Sequence, residues 1–492
     1  MAIDSSSATA QAPASALAPA PSPSPAPAPS SAPSSAPDKL TTRAKLVLFV
    51  LCAAQFMIAL DFSILNVSLP VLGNDLGMSR ANLQWAVTAF ALPSGGFLLL
   101  FGRIADLFGR RKLFLTGLAV FTAASALATL AWDPASFLAA RAIQGLGAAV
   151  IVPTGMSLLT TTFPEGPLRD RALGISGTLL SLGFTIGVVL GGVFTDNFGW
   201  RSTMAILAVA GVIVLAAAPG LLTESRHPQR PRIDIPGAVT VTGGLLALIY
   251  ALTTAAQQGF GRADVVASLV AGVALLIGFV VVESRAAEPL VSLQMLRKRT
   301  VAWGNLAGIT TFAMMSTVVF LLTLYLQEIR GLSAFQTGLV FGVQGIAAAI
   351  TGMTASKVIG RFGTRTTLVG GLVLQSALTA ALLFLGTGSS GTWIALVGAA
   401  VGCIGHLWVI VSYGITATSG LPDNEQGLAT GLVTSSQQLG LTIGIPLLST
   451  LASSRTHLLD GIHLALAADA AIVLVVAVLV AVGLRPGAAA RK

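Results

Sequence analysis

Charge is what this 492-residue chain has least of: Asp, Glu, Lys and Arg make up 10% of it, against about 25% in soluble globular proteins. That leaves too little polar surface to disperse a chain of this length in water. Cysteine is nearly absent. Cys52 and Cys403 both lie in apolar runs and fit neither a disulfide framework nor a metal site. The four histidines, His227, His406, His457 and His463, are scattered and share no ligand spacing. No G-x4-GK[ST] phosphate loop occurs, so nothing points to ATP as an energy source. Paired carboxylates and nucleophile–base pairs are also missing. The reading is therefore not an enzyme, with no cofactor and no metal.

What the chain does have is apolar sequence. Hydrophobic residues reach 54% and the mean hydropathy is +0.84. Runs near the ~20 residues needed to cross a bilayer recur along its length. The pattern predicts fourteen spans: 46–68, 83–102, 113–131, 136–158, 173–194, 203–222, 237–256, 265–282, 301–325, 335–355, 367–387, 392–416, 427–451 and 464–484. Residues 1–38, mostly Ala, Pro and Ser, lack the apolar content for a core and read as a disordered tail. They have no basic n-region followed by an apolar h-region, so they do not read as a signal peptide.

Lys39, Arg43 and Lys45 precede the first span, which predicts a cytoplasmic N-terminus. With that orientation both tails are cytoplasmic. All but six of the 28 Lys and Arg residues then fall on the cytoplasmic side; Arg80, Arg201, Arg262, Arg330 and Arg455 lie outside and Arg141 lies within a span. The net charge of +9 is thus a topology signal. A nucleic-acid footprint would cluster on one domain instead.

An internal repeat supports the count. GMS at 77–79 recurs as GLS at 331–333. RIADLFGRRK echoes KVIGRFGTRT, matching Gly109 to Gly363 and Arg111 to Arg365, again at an offset of 254. SLGFTIGVV at 181–189 recurs as QLGLTIGIP at 438–446. Such an offset spans eight helices, so span 1 corresponds to span 9. The expected organisation is a tail (1–43), a six-helix bundle (44–223), a linker with two extra spans (224–300), a second six-helix bundle (301–485) and a short tail (486–492). Repeated membrane bundles imply a transporter with its site at the repeat interface.

Four stretches carry a specific resemblance. LDFSILNVSLP at 60–70 matches a first-span pattern in Asp61, Asn66 and Pro70. GRIADLFGRRK at 102–112 holds Gly102, Asp106, Gly109, Arg110 and Arg111 of a loop signature, with Leu107 where a base is usual. RAIQGLGAA at 141–149 matches a fourth-span pattern. GISGTLLSLGFTIGVVLGG at 174–192 places Gly174, Gly183, Gly187, Gly191 and Gly192 at every glycine of a fifth-span exporter motif, with Val188 where proline is usual.

The chain resembles the major facilitator superfamily over roughly 44–484, and within it the fourteen-helix drug/proton antiporter branch. DIPG at 234–237, EPLVSLQMLRKR at 288–299 and LYLQEIRGLSAFQTGL at 324–339 support that branch; STMAILAVAG after Trp200–Arg201 departs from it. The resemblance implies an all-α integral membrane protein of major facilitator fold. It has two six-helix bundles with two additional helices between them, working by alternating access and proton antiport as an exporter. A dedicated single-substrate permease and a non-transporting sensor or scaffold are the alternatives.

Intramembrane ionisable groups are functional candidates by default. Asp61 is the candidate proton carrier and Arg141 its modulator, because helix rise puts them within roughly 3 Å in depth. Snorkelling of Arg141 to the outer headgroups is the competing reading. Asp106 is expected to face the N-terminus of span 13 and latch one access state. Gly183, Gly187 and Gly191 recur every four residues, a small-x3-small face that permits close packing, expected against span 10. With valine in place of proline, span 5 is expected to be straighter than the motif implies.

Candidate cavity residues are Asn66, Gln84, Trp85, Gln144, Tyr325, Gln344, His406, Trp408 and Gln437. Thr185, Tyr413 and Gln438 are further polar positions, and Asp469 in span 14 is a secondary acid. The expected partners are a small amphipathic molecule, protons and the lipid bilayer of a bacterial plasma membrane, with the protein a monomer.

Overall fold

Each predicted apolar stretch coincides with a helix or with a helix and its continuation. The structure, a computed structural model, describes residues 41–163, 167–224, 234–286, 293–421 and 423–485. The two tails predicted at the ends lie outside the described residues from 1 to 40 and from 486 to 492. The first bundle contains α1 (Thr42–Asp75), α2 (Arg80–Gly96), α3 (Leu98–Phe108), α4 (Arg110–Thr129), α5 (Pro134–Thr162), α6 (Pro167–Phe198) and α7 (Arg201–Leu221). A pair, α8 (Ile235–Gln258) and α9 (Ala263–Glu283), follows. The second bundle contains short α10 (Leu293–Arg297), then α11 (Arg299–Leu324), α12 (Ala334–Phe362), α13 (Thr364–Ala381), α14 (Ser390–Thr418), α15 (Asp423–Ser453) and α16 (Leu458–Gly483). Among the described residues, eleven helices are long and apolar enough to cross a membrane.

The expected second span is broken. Pro93 sits inside α2, and the helix is interrupted at Phe97, between α2 and α3, although Phe97 keeps its bonds to the Pro93 carbonyl and from the Phe101 N–H. The Gly96 carbonyl at that interruption accepts from Thr242 of α8 at 2.8 Å, which ties the inserted pair to the first bundle there.

The sequence repeat is visible as packing. α1 packs on α5, α6 and α7, and α11 packs on α14, α15 and α16. Gly109 and Gly363 both take left-handed φ, +104° and +80°, between consecutive helices. Just beyond each, Arg111 donates to the Pro219 carbonyl and Arg365 to the Ala481 carbonyl, both at 2.7 Å. Each arginine thus meets carbonyls at the C-terminal end of the last helix in its bundle, where a cation is favourable.

The bundles meet through α6 against α12 and α2 against α15. One end of the molecule carries the start of α1 and the Gly109 turn, and is called here the basic end. At the opposite, far end the bundles are joined. Gln327 lies in a π-helical turn at Tyr325–Ile329 and donates to the Val67 carbonyl at 2.7 Å. The Phe335 N–H donates to Asp196 at 3.0 Å. A Cβ on Gly192 would stand 2.6 Å from the Ala334 carbonyl oxygen, and one on Gly338 the same distance from that of Val188. The helices therefore touch backbone to backbone.

Candidate functional site

The centre of the first bundle is ionic. Arg141 Nη1 donates to Asp61 at 2.7 and 2.8 Å and to Gln144 Oε1 at 2.6 Å. Gln144 Nε2 returns a bond to Asp61 at 3.0 Å and reaches Ser125 Oγ at 2.9 Å. Arg141 Nε donates to the Ala86 carbonyl of α2. All four side chains are fully buried. The guanidinium is wholly buried and held by α1, α2 and α5 through Nε and Nη1, with Nη2 unpartnered among the described residues, so it does not snorkel to the surface here. Removing one partner of such a pair strands the other charge, at a cost of about 3–5 kcal/mol.

Arg141 also has an aromatic neighbour. Its guanidinium carbon lies 4.5 Å from the centroid of the Phe90 ring, within cation–π range. Phe90 in turn lines a cavity of about 430 Å³ between the bundles. The lining comes from the middle stretches of α1 (Gln55, Phe62), α5 (Val152, Met156), α11 (Phe312, Ser316) and α14 (His406, Tyr413). At the far end the bundles are closed over it by the contacts of Gln327, Phe335 and Gly192. Among the described residues no Asp, Glu, Lys or Arg lines the cavity. Its polar groups are amides (Gln55, Gln344, Gln437 and Gln438) and the hydroxyls of several serines and threonines, set among Phe62, Phe90, Phe184 and Phe312.

Three of the nine candidate cavity residues, Gln344, His406 and Gln437, line it. The other six are placed elsewhere. Gln144 belongs to the Asp61 network. Asn66 is fully buried and donates to the Phe62 carbonyl. Gln84 donates to the Thr253 carbonyl of α8 and accepts from Ser449. Trp85 pairs with Tyr250 of α8, ring centroids 6.4 Å apart. Tyr325 donates to the Gly386 carbonyl at the far end. Trp408 packs against Gly371 of α13. Gln55, Phe62, Phe90, Phe184 and Phe312 were missed; four are phenylalanines that read as ordinary core.

The second bundle holds its own polar cluster beside the cavity. Thr311 Oγ1 donates to Gln375 Oε1 at 2.7 Å and lies 2.8 Å from His406 Nδ1. With the hydroxyl proton directed to Gln375, Nδ1 is the donor in the second bond. The His406 ring stands edge-on to Phe312, centroids 5.3 Å apart.

The glycine face of α6 is a correction. Gly183, Gly187 and Gly191 do not pack on α12, the tenth predicted span; they pack on α1. A Cβ on Gly183 would stand 2.8 Å from the Phe56 carbonyl oxygen, and one on Gly191 2.8 Å from that of Ile64; at Gly187 it would overlap Ser63 Oγ. The repeat gives the reason: Gly440 and Gly444 of α15 meet Ile309 and Ala313 of α11 in the same way. Contact with α12 is left to Gly192. Gly174 lies in the N-terminal half of α6.

At the basic end, a Cβ on Gly102 would stand at an ordinary 3.6 Å from Pro153. The Asp106 side chain lies outside the described residues, so its predicted latch does too. A carboxylate that the motif did not single out stands at this turn. Glu224 accepts from the backbone N–H groups of Arg111 and Lys112, at 3.1 and 3.3 Å, at the start of α4. An anion is favoured at a helix N-terminus. Arg110 is half-buried beside it.

Two pseudo-symmetric helical bundles around a central cavity, with buried ionisable groups, define a membrane transporter architecture. Residues 51–445 match the family model of the Major Facilitator Superfamily. The cephamycin export protein CmcT of Amycolatopsis lactamdurans is 38% identical over 427 residues, covering 85% of this chain and 86% of that protein. The puromycin resistance protein pur8 of Streptomyces alboniger is 34% identical, covering 83% and 82%. A probable actinorhodin transporter of Streptomyces coelicolor is 33% identical, covering 82% and 71%. Among solved structures, the POT family transporter PepTSo superposes with a TM-score of 0.70 at 16% identity, covering 91% of this chain and 98% of that one; this likeness concerns the fold. The chain belongs to the Major Facilitator Superfamily and is a multi-pass membrane protein.

Proposed function

We propose that the protein is a proton-coupled exporter of small amphipathic compounds, antibiotics or related natural products, in a bacterial plasma membrane. It works as a monomer with fourteen spans and both tails cytoplasmic. Asp61 is the proton carrier and Arg141 holds it between cycles. With the basic end cytoplasmic, the cavity opens inward and takes its cargo from that side.

The observation that carries the reading is the separation of the two sites. The Asp61–Arg141 pair is wholly buried, while the cavity beside it is lined by aromatic, amide and hydroxyl groups, with no Asp, Glu, Lys or Arg among the described residues. Such a lining suits a neutral or weakly charged cargo with planar apolar parts and scattered hydrogen-bonding groups. The relatives named for export of cephamycin and resistance to puromycin support antibiotics as the class. Protonating Asp61 removes the charge that Arg141 answers, frees α1 from α5, and so links proton entry to bundle movement.

The test is transport in inverted vesicles containing the protein, with a fluorescent amphipathic dye and puromycin as probes. Uptake should require an interior-acid gradient and should vanish when that gradient is collapsed or when Asp61→Asn is introduced. Undiminished uptake under either condition sinks the antiport reading.

A further inference from the structure

Asp469 lies near the middle of α16, fully buried, and the site described above gives it no part. Neither carboxyl oxygen has a hydrogen-bond partner among the described residues. The side chain sits against the Thr379 hydroxyl of α13 without reaching bonding geometry. One residue on, the Ala470 carbonyl accepts from Ser376 Oγ at 2.7 Å, which pins α13 to α16 here.

Charged and titratable groups on the surrounding elements stand at the two ends. Arg365 of α13 meets α16 at Ala481, about 18 Å along the axis from Asp469. Arg299 opens α11 at that same end, as do Asp423 and Glu425 at the start of α15. Tyr325 and Glu328 lie in the π-turn at the far end, and His463 contacts the Leu385 carbonyl there. No described cation is therefore placed to neutralise a carboxylate at 469. An unpaired carboxylate at bilayer depth is strongly disfavoured, whereas a carboxyl that carries a proton is neutral.

The internal repeat gives the position its meaning. The offset of 254 that carries Gly109 to Gly363 carries Ser125 to Thr379. Ser125 is the hydroxyl that anchors Gln144, and Gln144 holds Asp61. Each bundle therefore keeps one buried carboxyl near the hydroxyl at the same repeat position. One turn along α13 from Thr379, Gln375 joins Thr311 and His406, and the His406 ring lines the cavity.

We propose that Asp469 is a second proton-binding site, in the second bundle, reached from the cavity past His406, Thr311 and Gln375. Two protons then move in each cycle, one on Asp61 and one on Asp469. The proposal rests on the antiport reading above and adds a stoichiometry to it.

The test uses the full chain in liposomes. An imposed pH gradient is balanced by the dye gradient it sustains, and the logarithmic slope of one on the other gives protons per dye molecule. The expected slope is two for the wild type and one for Asp469→Asn. A slope of one for the wild type, or an unchanged slope in Asp469→Asn, overturns the proposal. No slope in the wild type overturns antiport altogether, which separates the two failures.

Should Asp469→Asn not fold, infrared difference spectra of Asp61→Asn decide. A protonated-carboxyl band that disappears on alkalinisation and is shifted by Thr379→Val supports Asp469 as the site. A band that stays constant with pH overturns it.

Discussion

The Phe90 ring touches both working parts of the molecule: it lies 4.5 Å from the Arg141 guanidinium carbon and forms part of the cavity wall. The cavity wall and the buried ion pair thus share a neighbour. Replacing Phe90 by leucine keeps an apolar wall and removes a cation–π contact of about 0.5–2 kcal/mol. Dye affinity should stay within about threefold, a shift below ~0.7 kcal/mol. The pH dependence of that affinity should flatten. Affinity that collapses while its pH dependence persists would reduce Phe90 to a wall residue.

The Asp61–Arg141 pair predicts a specific non-additivity. Arg141→Leu strands a buried carboxylate and should destabilise the protein by about 3–5 kcal/mol. Asp61→Asn added to Arg141→Leu should recover much of that loss. Thermal unfolding in detergent measures it; purely additive effects would mean that the two groups do not depend on each other.

The contact between α1 and α6 predicts an ordering among glycines. Gly187→Ala pushes a methyl group into Ser63 and should cost about 1–3 kcal/mol, as overpacking does. Gly220→Ala on α7 meets open space and should be neutral or slightly stabilising. Ser63→Ala combined with Gly187→Ala should restore part of the stability. Equal effects at both glycines would remove the small face as an explanation.

Glu224 at the start of α4 supplies a prediction about conformational preference. Glu224→Gln removes an anion from a helix N-terminus, a loss of a few tenths to about 1 kcal/mol. It should leave folding intact and raise the accessibility of Arg110 and Arg111 to a guanidine-directed reagent. Unchanged labelling would argue against a cap.

Asp133 caps α5 through the Ser136 N–H at 2.8 Å, outside the membrane helices. Ser136, by its side chain and backbone, holds the Asp133 carboxyl below the ordinary carboxylate value. A depressed folded value means that its contribution is present above the unfolded value and is lost as pH falls through the folded one. The difference in melting temperature between wild type and Asp133→Ala should therefore shrink toward zero in strong acid. A gap that stays constant with pH would contradict the charged cap.

Depth along a helix was legible in the sequence, and rotation about it was not. Counting residues from the helix ends was enough to bring Asp61 and Arg141 to one level, because rise per residue is fixed. Trp85 and Trp408 were equally conspicuous, yet they face α8 and α13, because rotation is set by packing partners that one sequence does not reveal. The α6 glycines show the same limit: their spacing marks a close approach without naming the neighbour. The repeat carried that information indirectly, since Gly440 and Gly444 treat α11 as Gly183 and Gly187 treat α1. Phe90 left no mark, as an aromatic wall and an aromatic core have the same composition.

The inserted pair has a consequence for how cargo arrives. α8 is tied to α2 through Thr242–Gly96 and Gln84–Thr253, and to α15 through Thr450 and the Leu252 carbonyl. It therefore straps the seam where those two helices meet and plugs it from the lipid side. A lateral approach to the cavity between α2 and α15 is therefore blocked by α8.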